Sequence, residues 1–105
     1  VQDVSTAVRT LTRLSICKFA IRSGGHTAHA GSANIKGGVT IDLTALQEIA
    51  ISADRGSVVV GPGQRWENVY AALQPYNASV AGGRAGTVGV GGSTLGGKSL
   101  IFCMI

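Results

Sequence analysis

The stretch Gly82-Gly-Arg-Ala-Gly-Thr-Val-Gly-Val-Gly-Gly-Ser-Thr-Leu-Gly-Gly97 holds eight of the sixteen glycines of this 105-residue chain, and the other eight fall between Gly24 and Gly63. The glycines lack the strict three-residue period of a collagen. So dense a tract suits a backbone pressed against a flat or extended ligand, because each missing Cβ removes a steric obstacle. Val88, Val90 and Leu95 set it apart from a flexible linker, which is built from small polar residues. A shorter tract, Arg22-Ser-Gly-Gly-His-Thr27, comes directly after a strand-like run. Consecutive glycines let backbone N–H groups converge into a concavity for anionic oxygens. Arg22 and the hydroxyls of Ser23 and Thr27 add donors of the kind phosphates prefer. Taken alone, the same residues also read as a Gly-Gly turn with a solvated histidine.

Outward from these tracts, the periodicity alternates between helix and strand. Val4, Val8, Leu11 and Leu14 recur at helical spacing, with Asp3 near the N-terminus where a carboxylate favours the helix dipole. Cys17–Arg22, Val39–Leu43, Glu48–Ser52 and Ser57–Val60 read as short strands, and Asp54-Arg55-Gly56 closes the last two into a hairpin. Gly61-Pro62-Gly63 breaks the strand. Trp66, Val69, Tyr70 and Leu73 then form one apolar stripe on a second helix, whose core-facing pattern holds Trp66 inside. Pro75 ends that helix, and Ala78–Ala81 is expected as a further short strand. The fold class is α+β, short strands with flanking helices and two glycine-rich loops.

Composition narrows the function. The chain is 45% hydrophobic and 13% charged, with mean hydropathy +0.30, too apolar for intrinsic disorder. No apolar run approaches the ~18 residues of a membrane span, so no membrane association is expected. Nine Lys and Arg against five Asp and Glu give a formal charge of +4. The basic residues are scattered singly and aromatic residues are few, so no nucleic-acid partner is expected. Cys17 and Cys103 make neither a CxxC pair nor a disulfide framework. His26 and His29 have no Cys, Asp or Glu close in sequence to complete a metal site. Asn77-Ala78-Ser79 is an N-glycosylation sequon, compatible with secretion.

One motif competes. Gly92-Ser-Thr-Leu-Gly-Gly-Lys98-Ser99 satisfies the phosphate-cradling pattern G-x-x-x-x-G-K-[ST]. That mechanism needs a strand before the loop and a helix after it, and only six residues follow Ser99. A nucleotide hydrolase is the lesser alternative.

Three segments taken together, FAIRSGGHTAHAGSANIKGGVTIDLTAL, VGPGQRWENVYAAL and AGGRAGTVGVGGSTLGG, resemble the FAD-binding (PCMH-type) domain of the vanillyl-alcohol oxidase and berberine-bridge-enzyme-like oxidoreductases. The resemblance runs from Asp3 to Gly97. It implies that Arg22, Ser23, Gly24, Gly25, His26 and Thr27 form the pyrophosphate loop. His26 matches the histidine that in many members bonds covalently to the 8α-methyl carbon of the flavin. Thr87, Val88, Gly91 and Gly92 match the segment running along the cofactor, with Val88 near a position associated with oxygen access. Ala85 stands where bicovalent members carry a cysteine, so one covalent link at most is implied. Ser93 stands where berberine-bridge relatives often have histidine.

The resemblance also marks what is missing. Lys98 replaces the third glycine of the family's Leu-Gly-Gly-Gly run, and the strand expected ahead of the Val4 helix is absent. The expectation is a partial FAD-binding domain over residues 1–97, with residues 98–105 a non-matching apolar tail from a truncated reading frame. The catalytic base and the domain that would bind a small organic substrate are not in this sequence, and catalytic residues are left unassigned. The implied function is that of a fragment of an FAD-dependent oxidoreductase which in full-length relatives passes electrons to oxygen. A remnant that binds no cofactor is the alternative, and the fragment alone is expected to be inactive.

Overall fold

The computed structural model describes residues 2–15 and 17–97; Lys98, Ser99, Cys103 and the rest of the apolar tail lie outside the described residues. Helix α1 spans Gln2–Leu14, with Asp3 in its first turn and Arg13 in its last, each complementing the helix dipole. Val4, Ala7, Val8 and Leu11 form a half-buried stripe, and no residue of α1 is fully buried. Ser15, with φ +50°, turns the chain out of the helix.

Strands β1 (Phe19–Arg22) and β2 (Val39–Asp42) pair in parallel. A parallel pair cannot be joined by a tight turn and needs a crossover of a dozen or more residues. The loop over residues 23–38 meets that need without a helix, and this is why the first glycine tract sits at the exit of a strand. The register aligns Phe19 with Val39 and Arg22 with Asp42, so opposite charges stand side by side at the end of the pair.

Strands β3 (Ile49–Ile51) and β4 (Val58–Val60) form a separate antiparallel hairpin. Ile49, Ile51, Val58 and Val60 point inward while Ala50 and Val59 are exposed, the alternation a half-buried strand requires. The turn is built by Asp54, whose Oδ1 accepts from the Ser52 hydroxyl (2.5 Å) and from the Gly56 amide (3.0 Å). These bonds lower the Asp54 pKa, the serine first and the amide second. Arg55 takes the left-handed conformation (φ +57°).

Helix α2 spans Trp66–Leu73 and buries Trp66, Val69 and Leu73 against the inner face of this hairpin; Val88 and Val90 complete the core. Pro75 does end α2: Gln74–Tyr76 form one 3-10 turn, and Asn77 leaves it in the left-handed region at φ +48°. Ala78–Ala81 differ from expectation. Ala78 and Val80 pack apolar side chains against the core, but among the described residues no strand lies alongside to make a ladder, and the segment is not a strand.

The larger difference is in the second glycine tract. Val90–Leu95 coil into a short helix, α3, even though Gly91 and Gly92 lie inside it. Each glycine there costs ~1 kcal/mol relative to alanine. Tertiary contacts hold the helix in place: the Val90 amide donates to the Gln64 carbonyl (2.8 Å), and Val90 and Ser93 are buried. The observed class is α+β, as the periodicity implies.

Candidate functional site

The two glycine tracts, far apart in sequence, meet back to back. A Cβ built on Gly24 would lie 2.5 Å from Gly89 Cα and 2.6 Å from Gly89 N. Real side chains never approach so closely, so only a pair of glycines permits this crossing. The second tract is in turn laced to the start of α2. The Trp66 amide donates to the Val88 carbonyl (3.2 Å) and the Glu67 amide to the Gly86 carbonyl (3.0 Å), with an antiparallel bridge between Arg65 and Gly89.

The junction opens into a cleft of about 600 Å³. Of the residues singled out in the sequence, Ser23, Gly24, Gly25, His26, Thr27, Val88, Gly91 and Gly92 all border it. Arg22 and Thr87 do not. The Arg22 guanidinium is paired with the Asp42 carboxylate and reaches the Asn34 side-chain oxygen at 3.5 Å. The Arg22 hydrogen bond, then that of the Thr44 amide, lowers the Asp42 pKa from 3.8 to about 2. Ser23 reaches the cleft wall, but its hydroxyl donates to the Pro62 carbonyl (2.5 Å) and ties the first loop to the Gly61-Pro-Gly63 segment.

The glycines of the second tract therefore divide by role. Gly82 and Gly83 lie against the Trp66 indole, Gly86 against Glu67 and Gly89 against Gly24, and a Cβ on Gly91 would fall 3.1 Å from the Ser23 hydroxyl. A Cβ on Gly92 would meet nothing within 4 Å. Gly92 borders the cleft with open space before it, so there the missing side chain serves whatever enters. In the first loop Gly25 takes φ +63°, a conformation that L-residues rarely adopt. His26 is exposed on the same wall.

Sequence reasoning missed part of the wall. Ser32, Ala33, Leu43, Pro62 and Leu95 reach the cleft from separate turns, and no local pattern distinguishes them. Ser93, noted only as a substitution for histidine, is a buried member of the wall, and its hydroxyl accepts a hydrogen bond from Trp66 Nε1 at 2.9 Å. The competing phosphate-cradle motif does not survive: Gly92–Leu95, which that mechanism needs as an open loop, are already wound into α3. Among the described residues no three His, Cys, Asp or Glu gather as a metal site, and no described helix is long and apolar enough to cross a membrane.

Comparison with known proteins agrees with this geometry. A family model described as an FAD binding domain matches residues 1–103. The chain is 51% identical over 96 residues to the FAD-dependent monooxygenase macF of Penicillium terrestre, covering 90% of this chain and 18% of that protein. It is 46% identical over 104 residues to the FAD-dependent monooxygenase drtC of Aspergillus calidoustus, covering 96% and 20%. Among solved structures it resembles 6-hydroxy-D-nicotine oxidase from Arthrobacter nicotinovorans, with TM-score 0.74 and 25% identity over 84% of this chain and 19% of that one. It also resembles the glycopeptide hexose oxidase DBV29, solved in complex with teicoplanin, with TM-score 0.71 and 34% identity over 86% and 18%. The chain thus spans about a fifth of the length of the relatives it matches.

Proposed function

The chain belongs to the family of FAD binding domains found in FAD-dependent oxidoreductases, and from that premise we propose that it is the cofactor-holding part of such an enzyme, with the FAD site along the cleft between the Gly24 and Gly89 loops. One observation carries the reading. The two loops cross at a point only glycine allows, and beside that crossing Gly92 leaves open the space a Cβ would fill. A cleft of about 600 Å³ with glycine backbone along its wall fits an extended, partly flat dinucleotide.

FAD held there would supply two-electron redox chemistry between a small organic substrate and oxygen. The protein supplies placement. Main-chain N–H groups of the first loop bind the diphosphate, with the Thr27 hydroxyl beside them. Arg22, held by Asp42, braces the base of that loop. His26, exposed on the cleft wall, would be the point of covalent attachment to the 8α-methyl carbon of the flavin ring, the new C–N bond replacing one methyl C–H and the imidazole N–H while the two electrons and two protons pass to oxygen. Ala85 offers no thiol for a second bond. The groups that orient the substrate and accept its proton belong to the rest of the longer protein. Orientation alone is worth ~7–11 kcal/mol of barrier, so this chain by itself is inactive.

The test is the visible spectrum of the full-length protein before and after acid precipitation. Yellow colour that stays with the pellet, and moves to the supernatant in His26→Ala, is the expected result. A colourless full-length protein that takes up no supplied FAD overturns the assignment. Colour released by acid from the wild type retains FAD binding and removes the covalent bond.

A further inference from the structure

We infer that Trp66 is a positioning residue for the cofactor, acting through Ser93: its indole N–H fixes the Ser93 hydroxyl so that the serine proton is directed into the cleft. This rests on the reading of the cleft as the FAD site and goes beyond it, because it assigns work to a core residue.

The indole is rigidly placed. Trp66 is buried, and its ring stacks on Tyr70 with centroids 5.9 Å apart and planes inclined by 25°. The Tyr70 hydroxyl donates to the Gly83 carbonyl (2.8 Å), while Gly82 and Gly83 press their backbone onto the indole, a Cβ on Gly83 falling 2.5 Å from Cδ1. The N–H vector therefore has one direction. Tryptophan Nε1 can only donate, and its partner is Ser93 Oγ at 2.9 Å. That bond takes one lone pair of the hydroxyl of Ser93, a buried residue that borders the cleft.

The serine proton is then the remaining question. A helical serine or threonine ordinarily returns its proton to a carbonyl of the preceding turn. Thr94 does so, donating to Val90. Ser93 makes no such bond: among the described residues the one hydrogen-bond partner of its Oγ is Trp66 Nε1. A hydroxyl anchored as an acceptor on one side keeps its donor for the other, and the other side is the cleft. Its acceptor there is an oxygen or nitrogen atom of the cofactor.

The experiment uses the full-length protein and reads the position of the flavin visible band, which a structural role alone would leave unchanged, beside the FAD content per chain. Ser93→Ala is expected to shift the band and lower FAD occupancy at limiting FAD severalfold, as expected for one lost hydrogen bond. Ser93→Thr, which keeps the hydroxyl, restores both. Trp66→Phe, which keeps a ring but removes the N–H, shifts the band in the same sense as Ser93→Ala, with far-UV circular dichroism showing that the fold is retained. A Ser93→Ala protein with wild-type band and occupancy overturns the inference while leaving FAD binding intact. So does a Trp66→Phe protein that folds and keeps the wild-type band. A wild type that binds no FAD removes the underlying functional reading itself.

Discussion

Gly24 and Gly89 touch backbone to backbone, with a Cβ on the first only 2.5 Å from the Cα of the second. This contact joins the loop leaving β1 to the segment entering α3, and the cleft exists because the two are held together there.

Alanine at Gly24 and alanine at Gly92 are therefore expected to act with opposite sign. Gly24→Ala forces the loops apart and destabilises by about 1–3 kcal/mol, the cost of overpacking a tight contact, and FAD binding falls with it. Gly92→Ala meets no protein atom within 4 Å and lies in a helix, where alanine gains about 1 kcal/mol over glycine. Gly92 nevertheless borders the cleft, so a side chain added there is expected to lower FAD content while the melting temperature rises. Thermal melting of the full-length variants beside flavin absorbance checks both.

Acid should weaken the fold through Asp42. Its carboxyl is held at about 2 in the native chain against 3.8 as the ordinary value, first by the Arg22 hydrogen bond and then by the Thr44 amide. A depressed native pKa contributes stability above the unfolded value, and that contribution is lost as pH falls from 3.8 towards 2. Asp54 acts in the same sense. Denaturant midpoints measured from pH 5 to pH 2 are expected to decline less steeply in Asp42→Asn than in the wild type.

The core is expected to be sharply graded. Leu73 is 2% exposed under α2, and Leu73→Ala should cost about 2–5 kcal/mol. Val59, on the outer face of the same hairpin, is 61% exposed. Val59→Ala should stay within about 0.5 kcal/mol of wild type. Urea midpoints of the two variants test the assignment of the inner and outer faces.

Arg55 sits at φ +57° in the hairpin turn, where an L-residue is disfavoured by about 1–2 kcal/mol. Arg55→Gly is expected to raise stability by about 1 kcal/mol, since only part of that strain is offset by glycine's larger unfolded-state entropy. Loss of stability in this variant would show that the arginine side chain contributes more than its backbone costs.

Most of the architecture is legible in the sequence. The Val4–Leu11 and Trp66–Leu73 stripes, the alternation in Ile49–Ile51 and Val58–Val60, and the Asp54 turn are local patterns, set by residues within one or two turns of each other. The helix at Val90–Leu95 was not legible, because two glycines inside it argue against helix and the contacts that hold it, the Val90 amide on the Gln64 carbonyl and the burial of Val90 and Ser93, come from distant parts of the chain. Ala78–Ala81 failed the other way: its apolar residues found the core but no neighbouring strand.

The amino-acid order by itself determined that two glycine-rich tracts, a histidine within the first of them and a mixed set of short elements would be present, since periodicity and glycine content act over a few residues. Only the tertiary structure decided what each glycine is for. It assigned Gly24 and Gly89 to each other, Gly82 and Gly83 to Trp66, and Gly92 to the cleft. It also turned Arg22 to Asp42 and brought Ser93 to Trp66. Such pairings depend on which distant backbones can approach within van der Waals contact, and no local pattern along the chain records that.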